Sequence, residues 1–530
     1  MAQSLFGLAK IKSDLDETEF EISADYLGAL INTPSRAAQL NEDRDKDRIY
    51  GAVDEENASK VVPGILVIAD SPDGDCKIFC RTIKTEFAPV CKRIRKKQVT
   101  ETSILCEFLP ILEKSNDYQG LLRPRQDGVN GWLFREPTKK ELYEASNLPS
   151  FGIPFGWHPQ KYDMEILFPF TGEPPFEDSI YQGILAIGSQ DTGKTTMLRY
   201  LSRLLTTWPS LPEKKRPSIT FFDADNQFTK FSKVEELPEK TRNLFLKHGI
   251  GEVNLQVFKL ADDPVLGNAT LSSAAMTPED FVYLCPGLPA GTESNFLRLM
   301  KDAYETLRLK NLPLTFPLIR KTVMEKAEQD NLVFTQQRKS IGNALYAPEM
   351  DIFDQNGKTE ITIEKIRKPG TISVLDVENS SQASRRIEQM YLAQMLHSFK
   401  QNSINRYPSI ILALDEAEKI FPKATQRDKV YTERIADRIR YIVEFGRKRN
   451  FGVWIVSHLP SEIDPVVAKL PRTKIAFQTD ESEKWIKSVF GSEFVRPIQE
   501  QESGVATLRS SIAKNNQKVI KTQIRFPYVY

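Results

Sequence analysis

The feature that most constrains the fold is a glycine-bounded loop between an apolar run and a helix-forming segment. The loop follows the run 184–187 and comprises Gly188, Ser189, Gln190, Asp191, Thr192, Gly193, Lys194 and Thr195, with Thr196 next in the chain. This order predicts a strand, a loop that curls closely around phosphates, and a helix whose N-terminus favours negative charge. The pattern indicates a nucleotide site in which Lys194 reaches the β and γ phosphates and Thr195 ligates magnesium. The alternative is a chance glycine turn before an ordinary helix.

Further apolar runs after this loop end in polar residues, as strands of a nucleotide-binding sheet do. The predicted strands are 219–222, 370–376, 410–414, 452–456 and 474–478, and the segment 383–400 between them has helical spacing of its apolar residues. A helix between successive strands favours a parallel sheet, with ligand residues at the carboxyl ends of the strands. The sequence therefore predicts a doubly wound α/β domain.

Three of these strand ends carry candidate catalytic side chains. Asp415 and Glu416 follow one strand, where Asp415 would help to hold magnesium through water and Glu416 would polarise an attacking water. The alternative for this pair is an acidic strand end that caps the next helix. Asp223 is either a ligand residue or a loop cap, and His458 is either a functional or a structural histidine.

Composition restricts the class of protein more than it identifies a partner. The 530 residues hold 72 Lys and Arg against 71 Asp and Glu, so the net charge of +1 indicates neither a nucleic acid nor a membrane partner. The five cysteines form no Cys-x-x-Cys pair, which argues against a disulfide framework and a zinc site. Neither a signal pattern nor a bilayer-length apolar run is present, so we expect a cytoplasmic protein without membrane insertion.

Changes in residue composition and in apolar patterning along the chain predict several domains. Short β-rich runs over 1–117 favour a small barrel or sandwich, and the Pro- and Gly-rich stretch 118–175 is expected to be a connector. The α/β core is expected over 176–259 and 351–510, with a helical insertion at 260–350 and a C-terminal tail at 511–530. A mostly basic run at 92–97 is either a solvated face or a contact with nucleic acid or another partner.

Several motifs together resemble the HerA branch of the HerA/FtsK superfamily of ring-forming ATPase motors. They are the phosphate loop, the Asp415-Glu416 pair, the segments 444–453 and 457–465, Asp223 followed by Phe228, and Ser503-Gly504-Val505-Ala506. The resemblance implies a RecA-like phosphate-loop ATPase domain of the α/β class and an N-terminal small β-barrel. It also implies a hexameric ring that uses ATP and Mg²⁺ to move double-stranded DNA, with a nuclease or effector as a partner.

The resemblance further assigns roles to individual residues. Lys194, Glu416, His458 and Asp223 would serve hydrolysis, with His458 where the family usually has a glutamine, and Arg447 would reach the γ-phosphate of a neighbouring subunit. DNA phosphates would meet channel residues, for which the candidates, against a solvated loop, are Lys423, Arg427 and Lys429. Asp191 adds a carboxylate close to the phosphates, which is unfavourable unless it points outward. Two further functions stay open, an ATP-binding ring or filament that scaffolds a partner and a secretion-type motor of the same superfamily.

Overall fold

The computed structural model describes most of the chain and divides it into two compact units. The described residues are 26–31, 49–53, 55–94, 97–115, 119–120, 132–145, 148, 152–168, 170, 183–261, 263, 265–284, 288, 290–402, 408–420, 451–463, 465–511 and 519–529. The first unit comprises Met1–Phe168, Gln478–Arg509 and Lys518–Arg525. The second comprises Pro169–Phe477, Ser510–Gln517 and Phe526–Tyr530.

The first unit begins with a closed antiparallel barrel. Its strands are β1 (Gly28–Ile31), β2 (Ile49–Val53), β3 (Leu66–Asp70), β4 (Cys76–Ile94), β5 (Lys97–Ser115), β6 (Gln119–Gly120) and β7 (Leu133–Arg135). They pair in the order β2-β1-β7-β3-β4-β5-β6, and an additional pairing of β2 with β5 closes the ring. The small barrel expected near the N-terminus is therefore present, and it includes a strand beyond residue 117.

Alternation of apolar residues along the strands builds the core of the barrel. Val67 and Ala69 on one strand face the same interior as Ile78 and Cys80 on the next, as the period of two requires. Phe134 packs edge to face against Phe108, with ring centroids 5.1 Å apart. Cys106 is also fully buried, so these cysteines serve as small apolar core residues.

The strands β4 and β5 form an unusually long hairpin. Each has 19 residues, and their pairing runs from Cys76 opposite Ser115 out to Ile94 opposite Lys97. Among the described pairings, β3 joins β4 only as far as Arg81, and β2 joins β5 only from Ile104 inward. Two irregularities in the register lie close to the barrel, and the outer part of the ladder is regular.

The stretch 118–175 contributes further regular structure to the first unit. It contains α1 (Lys139–Ala145) and the antiparallel pair β8 (Ile153–His158) and β9 (Lys161–Phe168). Leu142 of α1 is fully buried beside Met164 of β9 and Leu66 of the barrel. Apolar burial thus holds this stretch against the barrel.

The second unit is built on a parallel sheet with helices between its strands. The main strands are β10 (Ile184–Ile187), β11 (Ser218–Asp223), β12 (Asn254–Ala261), β15 (Thr371–Asn379), β16 (Ile410–Leu414), β17 (Phe451–Ser457) and β18 (Thr473–Ala476), and a separate short pair is β13 (Ala269–Thr270) with β14 (Thr359–Glu360). The main strands lie in the order β12-β15-β11-β16-β17-β10-β18, and every pairing among them is parallel. The predicted strands are present, and their near-continuous apolar runs match a sheet covered on both faces.

The helices of the second unit fall into two groups. Those associated with the sheet are α2 (Lys194–Thr207), α3 (Glu239–His248), α8 (Ile363–Ile366), α9 (Gln382–Asn402), α10 (Ala417–Ile420) and α11 (Pro465–Lys469). Four others lie within the predicted insertion, α4 (Pro278–Leu284), α5 (Ala290–Leu309), α6 (Phe316–Gln329) and α7 (Thr335–Leu345). Phe281, Phe316 and Phe353 pack together at the base of this group, with ring centroids about 5.5 Å apart.

Most of the chain between Gln478 and Arg525 belongs to the first unit again. There it forms α12 (Glu483–Val489), α13 (Val495–Glu500), β19 (Val505–Ser511) and β20 (Val519–Arg525). Strand β20 lies between β19 and β8 in the sheet, and it pairs with β8 in the antiparallel sense. None of the helices described here combines the length and the apolar character that crossing a membrane would require.

Candidate phosphate-binding and catalytic site

The glycine-bounded loop joins an interior strand of the parallel sheet to a helix, as the sequence predicts. Strand β10 lies between β17 and β18, and the backbone of Phe477 donates to the Ile187 carbonyl at 2.8 Å. Helix α2 begins at Lys194, directly after Gly193 with φ 112°. That angle lies in the left-handed region, which glycine adopts without steric cost. The loop therefore brings the N-terminus of α2 to the carboxyl edge of the sheet, where anions bind.

The remaining loop residues follow the expected arrangement. Asp191 is exposed and has φ 57°, so its residue lies on the solvent side of the loop, and Gln190 is exposed as well. Thr192 is buried, and its hydroxyl donates to the Ser189 carbonyl at 2.8 Å, which closes the loop on itself. Thr196 is half-buried on the first turn of α2.

Lys194 is buried at the centre of the loop. Its ammonium donates to the Gly188 carbonyl at 2.8 Å and to the Ser189 carbonyl at 2.6 Å. Burial lowers the pKa of Lys194, while the carboxylates of Asp415 and Glu418 are the largest influences in the opposite direction. The cation is thus held inside the curl of the loop, where phosphate oxygens can replace the carbonyls as its acceptors.

The acidic pair lies at the end of β16, two strands from the loop. Asp415 accepts a hydrogen bond from the backbone NH of Glu416 at 2.9 Å, and burial raises the pKa of Asp415 to about 7. Glu416 has φ 49°, an uncommon conformation for a residue with a side chain. Non-glycine residues in this region cost on the order of 1–3 kcal/mol and cluster at functional sites.

His458 connects the two halves of the site. It follows β17, the strand between β16 and β10, and its Nδ1 lies 3.4 Å from the Lys194 ammonium. Its Nε2 lies 3.9 Å from Oε1 of Glu416, and about a third of the side chain is exposed. The structure therefore brings Lys194, His458 and Glu416 together at the ends of three adjacent strands.

Asp223 caps the loop that follows β11. Its carboxylate accepts from the backbone NH of Gln227 at 3.0 Å and of Phe228 at 2.7 Å. Burial raises the pKa of Asp223, and these backbone donors act against that rise. Phe228 also stacks on Phe221 with ring centroids 4.1 Å apart, so both ends of the turn are fixed. Of the two roles that the sequence left open, the contacts of Asp223 are those of a loop cap.

Gln227 is a site residue that the sequence analysis missed. Its side-chain oxygen accepts from the Thr195 hydroxyl at 2.8 Å, and its backbone carbonyl accepts from Arg199 of α2. The capped turn after β11 is thereby tied to the start of α2. The available signal was Asp223 four residues earlier, since a short acidic side chain at a strand end often orders the following turn.

The donors present suit a magnesium ion that is shared with phosphate oxygens. Thr195 and Asp415 offer a hydroxyl and a carboxylate oxygen, and Mg²⁺ commonly takes one or two such protein ligands beside substrate phosphates. Asp415 is a buried carboxylate whose charged form is unfavourable without a nearby cation, as its raised pKa indicates. The chemistry of Thr195 and Asp415 therefore fits a magnesium ion.

Four predicted residues lie outside the part of the chain that the structure describes. These are Arg447, expected to act in a neighbouring subunit, and the candidate DNA contacts Lys423, Arg427 and Lys429. Their roles stay predictions.

Comparison with known proteins gives similarity at the level of solved structures. No model of a known protein family matches the chain, and no curated protein sequence matches it. The chain is similar to VirB4 of Thermoanaerobacter pseudethanolicus, with 12% identity and a TM-score of 0.46 over 71% of this chain and 97% of that one. It is similar to the bacterial conjugative coupling protein TrwB, with 13% identity and a TM-score of 0.42 over 66% and 85% of the two chains. It is also similar to the genome packaging NTPase B204 of Sulfolobus turreted icosahedral virus 2, with 10% identity and a TM-score of 0.28 over 66% and 98%.

The order and direction of the core strands decide the fold class. A phosphate loop after an interior parallel strand, with further site residues after the next two strands on one side of it, β17 and β16, is a RecA-like phosphate-loop arrangement. The predicted α/β fold class with a RecA-like phosphate-loop core is confirmed.

Proposed function

We propose that this protein is an ATP-driven motor of the HerA/FtsK type that moves double-stranded DNA as a hexameric ring. The observation that carries the ATPase part is the cluster of Lys194, His458 and Glu416 around the phosphate loop. The DNA and the ring come from the resemblance of the motifs at 410–465 to that family.

The loop binds and orients the nucleotide in this proposal. Backbone NH groups at the start of α2 and the Lys194 ammonium face the phosphates, and the ammonium exchanges its contacts with the Gly188 and Ser189 carbonyls for phosphate oxygens. A magnesium ion held by Thr195 and Asp415 would neutralise charge on the phosphates. Thr195 can take part while its hydroxyl hydrogen donates to the Gln227 side chain, because the hydroxyl oxygen keeps its lone pairs for the metal.

Glu416 and His458 act on the attacking water. In this proposal the Glu416 carboxylate, whose Oε1 lies 3.9 Å from Nε2 of His458, accepts the proton of that water. His458 contacts both Lys194 and Glu416, so it can report the arrival of the γ-phosphate to the base. Arg447 of a neighbouring subunit would complete the site, since such residues raise the rate by about three to five orders of magnitude in related chemistry.

Steady-state ATP hydrolysis by the full chain tests the ATPase part. We expect Lys194→Ala to abolish nucleotide binding, and Glu416→Gln to keep binding while lowering kcat by about 10²–10⁴-fold. Glu239→Gln, a matched change at an exposed position on α3, should leave both unchanged. Full activity in Glu416→Gln would remove this carboxylate from the mechanism.

Electron microscopy with duplex DNA and an ATP analogue tests the motor. A ring with DNA in its channel, together with hydrolysis stimulated by DNA, is the expected result. A filament or an empty ring whose biological activity survives Glu416→Gln would instead favour a scaffold.

A further inference from the structure

The outer half of the β4–β5 hairpin is a two-stranded segment whose last paired positions hold basic residues. We define the hairpin arm as the paired segments 88–94 and 97–103. Among the described strand pairings, these segments pair only with each other. From Ala88 opposite Ser103 to Ile94 opposite Lys97 the ladder advances six residues, which is about 20 Å at ~3.4 Å per residue.

The end of the arm is basic. Its last four paired positions hold Lys92, Arg93 and Lys97 and lack an acidic residue. The nearest acidic position along the arm is Glu101, opposite Val90. Arg95 and Lys96, which join the two segments in the sequence, are also basic, but they lie outside the described residues.

This charge has a structural explanation that must be weighed first. Lysines on exposed strands prevent edge-to-edge aggregation, and they do so in many proteins. Mixed charges would protect the edges equally well, however, without the repulsion between neighbouring like charges. An isolated two-stranded hairpin is only marginally stable in water, so concentrating one sign at its end adds a cost that edge protection does not require.

We propose that the hairpin arm binds the phosphate backbone of double-stranded DNA. A two-stranded β-ribbon fits the major groove of B-form DNA, which is about 12 Å wide, and an arm of about 20 Å reaches across it. The contact is to phosphates through Lys92, Arg93 and Lys97 and does not depend on base sequence. The inference rests on the proposed function for the choice of DNA over other polyanions, and it adds a DNA-binding element on the barrel.

Salt titration of DNA binding by the full chain tests the arm. The variant Lys92→Gln/Arg93→Gln/Lys97→Gln is compared with Lys310→Gln/Lys321→Gln/Lys339→Gln, which removes the same charge from exposed positions of the helical insertion. Each phosphate contact contributes about 0.9 to the slope of log affinity against log salt concentration. We expect the slope for a 30-base-pair duplex to fall by about 3 in the arm variant and to stay unchanged in the insertion variant.

Two further measurements make the result decisive. The charge-preserving variant Lys92→Arg/Arg93→Lys/Lys97→Arg should bind DNA as the wild type does, and ATP hydrolysis without DNA should be the same in all variants. An unchanged salt slope in the arm variant overturns the proposal that the hairpin arm binds DNA, and it leaves the proposed motor function unaffected. Wild-type protein that hydrolyses ATP but does not bind duplex DNA overturns both. Loss of binding to vesicles of 30% phosphatidylserine, with DNA binding retained, assigns the arm to a lipid surface and overturns the proposal.

Discussion

Replacing Asp223 separates its structural role from a catalytic one. The side chain is 2% exposed, and its two oxygens accept from the backbone NH groups of Gln227 and Phe228. Asp223→Ala leaves both donors in a buried turn without this acceptor, and each buried unsatisfied group costs about 1–3 kcal/mol. We therefore expect the free energy of unfolding to fall by about 2–6 kcal/mol.

Asp223→Asn gives the more informative comparison. One amide oxygen still accepts, but the amide nitrogen faces a second donor, so the expected loss is about 1–3 kcal/mol. Asp225→Asn is the matched control, because Asp225 is exposed on the same turn and such changes usually stay within about 0.5 kcal/mol. Urea unfolding curves at pH 7 supply all three values, since a change in midpoint at constant slope reports stability.

Hydrolysis measured on the same samples completes the test. If Asp223 acts as a loop cap, Asp223→Asn retains substantial hydrolysis at temperatures where it is folded, and its losses follow the displacement of Gln227 from Thr195. A variant with wild-type stability and no hydrolysis would refute the capping argument and restore the catalytic interpretation.

Three further changes test other parts of the structure by chemical denaturation. Arg203 is fully buried on α2, and we expect Arg203→Ala to lower the free energy of unfolding by about 2–5 kcal/mol. Arg203→Met should lower it less, because Met keeps most of the side-chain volume without a buried charge. Equal losses in the two variants would contradict this. Burial, with help from nearby cations, lowers the pKa of His158 to about 3, so between pH 6.5 and pH 3 the unfolded chain binds a proton that the folded chain does not. The free energy of unfolding should therefore fall as the pH drops through that window, by at most about 1.4 kcal/mol per pH unit. His158→Gln should remove this pH dependence. Urea midpoints of both proteins at pH 7 and pH 5 would check this. Gly370 has φ 62°, and Gly370→Ala places a Cβ 2.9 Å from the Thr206 carbonyl oxygen. Gly357→Ala is the control, because Gly357 has φ 76° and its added Cβ has no neighbour within 4 Å. Gly370→Ala should therefore be the more destabilising by about 1–2 kcal/mol, and equal urea midpoints would show that the Thr206 carbonyl moves aside.

The sequence predicted the parts of the site that follow from strand ends. The apolar runs ending at Ile187, Leu414 and Val456 became β10, β16 and β17, and their adjacency brought the predicted side chains together. Buried parallel strands read as continuous apolar runs, which is why this signal was strong. The long helix α9 was predicted equally well from its helical spacing.

The long hairpin and the contacts between loops could not be predicted in the same way. Pro89 and Pro110 lie within β4 and β5, and proline argues against strand in a single sequence. Closure of the barrel depends on β2 meeting β5, a pairing between distant segments that no local pattern specifies. The hydrogen bond between Thr195 and Gln227 likewise joins residues that only the packing of β11 against α2 brings near.

The position of β10 inside the sheet determines when the phosphate loop can first exist during synthesis. Ile184 pairs with Trp454 on one side and with Thr473 on the other, so both partners emerge about 270 or more residues later. At about 5–20 residues per second, the strand spends tens of seconds on the ribosome without either neighbour. A chain interrupted before β17 would hold every residue of the loop and yet lack both strands that flank β10.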